Sequence, residues 1–222
     1  RELRMFDGSL VSPEEASTQK SYQVVLTHEY KFDAWNRPFI LTSEFYYKYL
    51  KDIIPYEVDN IRIRYYADQK ATGYATGLDL RLNGEFVKGI ESWASLSLMK
   101  TAESIKYYLS PSGEILSQTD INNGETYISD TLIRGIPRPS DQRINFSLFF
   151  QDYIPFIPSF KVNLKLVFGT GMPFGAPHTE RYQQKKRMSA YRRIDIGFSK
   201  QLISEKTSFG SNNPLRFIRN SW

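Results

Sequence analysis

The chain of 222 residues contains no cysteine and only two histidines. The first absence excludes a disulfide framework, a thiolate metal site and a cysteine nucleophile. The second makes a histidine-based metal centre untenable, because a zinc site needs about three or four converging ligands and His28 and His178 stand far apart in the sequence. No stretch approaches 18 consecutive apolar residues, so no transmembrane helix is encoded. No initiator methionine or secretory leader precedes Arg1, and the chain reads as a piece of something longer. A helical period of a dozen residues is also missing, with Lys100–Leu109 the best short helix candidate. The net charge of +5 is spread along the chain and forms no basic tail.

Aromatic residues are abundant instead, with 15 Tyr, 15 Phe and 3 Trp. This favours β structure. The dominant period is two. Tyr22, Val24, Leu26, Tyr30 and Phe32 share one face, which His28 interrupts. Tyr74, Thr76, Leu78, Leu80, Leu82 and Phe86 repeat the pattern, as do Ile144, Phe146, Leu148 and Phe150. Val162–Phe168 and Ile194–Phe198 continue it. Such alternation predicts half-apolar strands, near 20–32, 37–53, 72–88, 91–107, 140–153, 160–170 and 190–203, with an eighth beginning near 214.

The connections alternate in length. Asp33–Asn36, Val87–Ile90 and Ile154–Ser159 are short, and Ser204–Asn213 is moderate. Between them lie long connections at about 54–71, 108–139 and 171–189. An up-and-down antiparallel meander with tight turns at one end and long loops at the other has this form, and it is the form of a transmembrane β-barrel. Strand length points the same way, since soluble strands average about 5–6 residues. Aromatics gather toward strand ends, at Tyr46, Tyr47, Tyr49 and Tyr56, at Tyr65 and Tyr66, at Tyr107 and Tyr108, and at Phe149, Phe150 and Tyr153. Rings so placed suit interfacial girdles. The opposite strand face carries Asp79, Arg81, Asn83, Glu85, Asn145, Gln151, Asn163, Lys165, Arg193 and Asp195, which predicts a wide polar lumen.

Residues 45–101, beginning FYYKYLKDIIPYEVDN and ending ESWASLSLMKT, resemble the barrel of TonB-dependent outer-membrane receptors, in the branch with an N-terminal carboxypeptidase-like regulatory domain. IPRPSDQRINFSLFFQDYIP (136–155) and the segment from LVFGTGMPFGAPHTERYQ to YRRIDIGFSKQLI (166–203) resemble later strands of the same barrel. The resemblance implies an all-β, antiparallel, up-and-down transmembrane barrel segment, with seven to eight strands of a 22-stranded barrel spanning residues 1–222. The plug, the TonB box and the regulatory domain would lie outside this chain. It further implies import of a ligand across the outer membrane, energised through the TonB complex by way of the missing N-terminal parts. The implied partners are outer-membrane lipid, a nutrient ligand and a surface lipoprotein, and not nucleic acid. No enzymatic activity, cofactor or metal is expected.

Tyr65, Tyr66, His178, Arg181 and Tyr182, in two of the long loops, are the candidate ligand-facing residues. Other motifs read as structural. Gly169–Gly175 lacks the spacing of a phosphate-binding loop and reads as a strand end opening into a loop. Pro137–Arg143 reads as a rigid strand entry in which Asp141 and Arg143 pair across the lumen. Glu57, Asp59 and Asp68 lie beside Arg62 and Arg64 and read as solvated charge. Lys185, Lys186, Arg187, Arg192 and Arg193 form one basic cluster, read as an outward loop facing anionic lipopolysaccharide. Two alternatives remain, a passive pore or small complete barrel and a soluble β-rich carbohydrate-binding module.

Overall fold

A computed structural model describes residues 18–59, 62–66, 69–154, 157–176 and 179–200. The eighth strand expected near 214 lies outside them. The architecture is all-β, a single antiparallel up-and-down sheet with its long strands in chain order. These are β1 (Lys20–Ala34), β2 (Arg37–Ile53), β5 (Ala71–Val87), β6 (Ile90–Leu109), β9 (Ile144–Ile154), β10 (Ile157–Gly169) and β13 (Tyr191–Lys200). The sheet is open. Among the described residues nothing pairs with the outer edge of β1 or of β13.

The long connections carry small elements of their own. A hairpin of β3 (Tyr56–Asp59) and β4 (Arg62–Tyr65) fills the first. The second holds β7 (Ile115–Leu116), a five-residue helix α1 (Gln118–Asn122) and β8 (Ser129–Pro137). The third holds β11 (Pro173–Phe174), a 3-10 turn at Arg181–Gln183 and β12 (Lys186–Arg187). The candidate helix over Lys100–Leu109 does not form. Those residues continue β6, whose first half pairs with β9 and whose second half pairs with β8. Thr101, Glu103, Ile105 and Tyr107 are buried on one face while Lys100 and Lys106 are exposed on the other, which is a two-residue period. Strand β9 begins at Ile144 and not near 140, because residues 138–143 leave the ladder to make the contacts described below.

The register keeps one face apolar across seven strands. Leu26 lies opposite Phe45, Phe45 opposite Leu78, Leu78 opposite Leu98, and Leu98 opposite Ile144. Farther along, Leu148, Leu166 and Ile194 continue the same face. One residue of slip would turn every side chain over. The other face carries Glu44 opposite Asp79, Asp79 opposite Ser97, and Ser97 opposite Asn145. Lys165 lies opposite Asp195 on that face. Much of the apolar face is open, with Leu26 66%, Phe45 49%, Ile194 65% and Ile196 64% exposed.

Adjacent residues of a strand cannot share a face, and this redistributes the expected girdles. Tyr47, Tyr49 and Phe150 stand on the apolar face, whereas Tyr46, Phe149 and Tyr153 stand on the polar one. Tyr22, Tyr49 and Tyr74 form a row across three strands toward the long loops. At the tight turns Phe39 stacks on Phe32 at 5.7 Å and meets Phe86 edge-on at 5.1 Å. Ten steps separate Tyr22 from Phe32, about 33 Å of strand at about 3.3 Å per residue. A strand tilted by about 40° rises about 25 Å over that length.

Candidate functional site at the long-loop end

All three long connections leave the sheet at one end, and there the polar face stops being polar. Two bulges cause the change. Between Leu50 and Ile53 the register of β2 on β5 shifts by one residue, with Asp52 at φ 54°. Between Glu103 and Ile105 the register of β6 on β8 shifts likewise, opposite Gly135 at φ 72°. Aspartate and glycine are residues that enter the left-handed region readily. Each extra residue brings side chains three apart onto one face: Leu50 with Ile53, and Ile133 with Ile136. With Ala71, Ile105 and Tyr107 they form a buried apolar cluster. A buried aliphatic side chain of this size contributes about 1.5–3 kcal/mol.

The third long connection roofs this cluster. Tyr182 packs on it and meets Tyr107 edge-on at 5.1 Å. Arg181, 1% exposed, places Nη2 2.9 Å from Oε1 of the fully buried Glu103. The same nitrogen donates to the carbonyl of Pro137 at 2.6 Å. Arg138 approaches the second Glu103 oxygen at 3.4 Å and lies over the ring of Tyr56. A second buried carboxylate, Asp141, accepts from the Thr101 amide and from Arg143 Nε, each at 2.7 Å. Arg187 reaches Asp141 with both terminal nitrogens, one on the carboxylate and one on the carbonyl. A third, Glu57, accepts from the Tyr66 hydroxyl at 3.0 Å and from Gln184. Burial, followed by the Glu57 carboxylate, raises the Tyr66 phenol well above its ordinary range.

Three carboxylates, from the β3–β4 hairpin, from β6 and from the entry to β9, thus hold one loop in place. A charge removed from water is tolerated where it is paired and hydrogen-bonded. The arrangement fixes backbone and offers no reactive pair. Among the described residues no group of three or more histidines and acidic residues could hold a metal ion.

The candidate ligand-facing residues divide accordingly. Tyr65 is exposed, its ring 6.0 Å from Tyr56. Tyr66 and Arg181 are buried within the network and Tyr182 is half-buried on the apolar cluster. His178 lies outside the described residues. Glu57 is not solvated, as its neighbours in sequence suggested. It is 9% exposed and bonded to Tyr66 and Gln184, which lie in two different long connections. Asp68 and the side chains of Asp59 and Arg62 lie outside the description. Asp141 and Arg143 pair side by side on one segment, and not across a lumen as expected. Arg187 turns inward from the basic cluster to join them. Glu103 and Gln184 gave no signal in sequence, since their partners are 78 and 127 positions away. Comparison with protein-family models, with curated proteins and with solved structures finds no match.

Proposed function

We propose that this chain is part of the wall of an outer-membrane β-barrel, and that the barrel belongs to a TonB-dependent receptor importing a ligand. One observation carries the membrane reading. The sheet has an exposed apolar face about 25 Å tall, bounded by Tyr22, Tyr49 and Tyr74 at one end and by Phe32 and Phe39 at the other. An apolar surface of that extent, several strands wide, is a liability in water and matches the band that faces hydrocarbon in a barrel. The polar face then lines the lumen, and the long loops lie on the outer side of the membrane. The clamp on Arg181 and Arg187 makes the third loop a fixed part of the entrance. The more specific assignment, to energised import, is supported by the resemblance of residues 45–101, 136–155 and 166–203.

The test is saturable binding of the full-length protein, extracted from outer membranes, to the purified periplasmic domain of TonB. Binding supports energised import. A barrel that gives steady open-channel conductance in a planar bilayer and no TonB binding would be a passive pore instead.

A further inference from the structure

Beyond the tyrosine row the sheet narrows. At the top of β6 one edge is taken by β7 and the other by β8. Among the described residues nothing pairs with the far edge of β8. Lower down, β9 continues the path of β8, and its neighbour β10 ends at Gly169, opposite Asn145. The third long connection, which follows β10, turns to the inner face, where Tyr182 and Ile133 pack against the apolar cluster. Ser129–Leu132, Arg134 and Gly135 are all exposed. An unpaired edge is a template for another strand, and proteins blunt it with lysine, proline or a bulge. The bulge at Gly135 and the ring of Pro137 protect only the lower end of β8. Ser129–Ile133 has neither device, and its one charge, Asp130, is neutralised by Lys106 at 2.8 Å.

The side chains along this edge are apolar. Leu132 lies opposite Lys106 on the outward face, and Ile128 donates its amide to the Leu109 carbonyl at 2.9 Å. These β6 positions are four to seven residues past Ala102, which lies opposite Tyr74. That is about 13–23 Å along the strand, or about 10–18 Å of height at a tilt of about 40°. Headgroups deepen each side of the hydrocarbon by only about 5–8 Å. Leu132 and Ile128 are nevertheless 48% and 65% exposed, with Tyr127 exposed beside them. Lipid does not cover them at that height, and a rimmed apolar group in water marks a contact surface. Arg134 follows Leu132 on the outward face, exposed and without an ion pair among the described residues.

We propose that β8 is a docking edge to which an extended segment of another surface protein adds as a strand, with an apolar residue beside Leu132 and a carboxylate beside Arg134. Main-chain hydrogen bonds supply affinity in this mode and alternate side chains supply choice. Leu132 and Arg134 are two residues apart, so the partner carries its apolar and acidic residues at the same spacing. The patch looks outward, so the partner sits beside the mouth and not over it. That placement rests on the membrane reading above, whereas the free edge does not.

The test measures binding of fluorescent peptides of about ten residues to the full-length protein in detergent micelles. The first peptide has threonine at every second position and, between them, valine and glutamate in turn. The second replaces glutamate with lysine, and the third replaces the central threonines with proline. Wild type should bind the glutamate peptide saturably and the proline peptide at least about tenfold more weakly, because proline removes ladder donors. Arg134→Glu should reverse the preference between the glutamate and lysine peptides. Leu132→Lys should weaken both, and Lys88→Glu, in a tight turn, should behave as wild type. Equal binding of the proline peptide, no saturable binding of the glutamate peptide, or indifference to Arg134→Glu and Leu132→Lys would overturn the proposal. Self-association that both substitutions abolish would also overturn it, since the occupant would then be a second copy. Flotation of wild type with phosphatidylcholine vesicles is scored separately. Peptide addition without flotation keeps the edge and removes the membrane reading, and flotation without peptide addition does the reverse.

Discussion

The two ends of the sheet are built by different rules. At the tight-turn end the chain reverses within a few residues, by local chemistry. Trp35 and Asn36 both take positive φ, 54° and 56°, the geometry of a two-residue turn whose twist matches that of the strands. Gly89 at φ 74° serves the next turn. At the long-loop end local hairpins and turns are tied together by contacts between distant residues. Arg181 finds Glu103, Arg187 finds Asp141, and Gln184 finds Glu57. One end is a set of locally closed hairpins bridged at Phe39 and Phe86, and the other is an assembly of long-range polar contacts. An assembly of that kind would give the proposed barrel a defined mouth.

The largest effect that would break this contrast is loss of one clamp. Arg181→Ala leaves Glu103 buried with Arg138 alone, and removing one partner of a buried pair costs about 3–5 kcal/mol. The expected result is rapid hydrogen exchange and protease cleavage within residues 171–189, with the hairpin of β1 and β2 still protected. An equal loss of protection at both ends would mean that the ends are not independent.

Next comes the apolar face. Leu78→Arg, in the middle of the band, should destabilise a membrane-inserted barrel by about 2–4 kcal/mol, read as a drop in the denaturant midpoint in lipid. Asp79→Arg, one residue along and on the polar face, should cost far less. Equal costs would contradict the assignment of faces.

A smaller effect tests the bulges. Gly135→Ala places a β-carbon in the left-handed region, at a cost of about 1–2 kcal/mol, and should loosen residues 129–137 without moving β9. Unchanged exchange there would show that the bulge is not needed to aim Ile136.

The smallest is a titration. The phenol of Tyr66 is raised by burial and by Glu57. A raised folded value means that this stability is fully present below the ordinary tyrosine range, near about 10, and is lost as pH rises beyond it. Tyr66→Phe should abolish that alkaline loss and cost about 0.5–1.5 kcal/mol at neutral pH. An alkaline transition in the loop that survives the substitution would assign it to another group.

The same contrast explains what the sequence discloses. The seven long strands are legible because alternation is a property of neighbours. Their ends fall within a few residues of where the period stops, as at 37–53. The segment Lys100–Leu109 obscured its own period, since both faces mix polar and apolar residues: Glu103 is buried with Ile105, and Tyr108 lies near exposed Lys106. Glu57 looked solvated because Arg62 and Arg64 stand beside it in sequence, while the partners that bury it are Tyr66 and Gln184. Tyr66 and Arg181 looked available to a ligand because loop residues usually are. Only Tyr65 of the described candidates stays open to solvent. Partners far apart in sequence leave no trace in a local pattern, and the contacts that tie Arg181, Gln184 and Arg187 to their carboxylates are all of that kind.

The most direct test of the central claim exploits the absence of cysteine. Single cysteines placed at Glu44, Phe45, Asp79, Leu78, Ser97 and Leu98 of the full-length protein in native outer membranes can be probed with a water-soluble maleimide and with a lipid-soluble one. A barrel wall predicts alternation: Glu44, Asp79 and Ser97 reached from water, and Phe45, Leu78 and Leu98 reached from lipid alone. Labelling of all six by the water-soluble reagent would contradict it, because both faces of the sheet would then meet water.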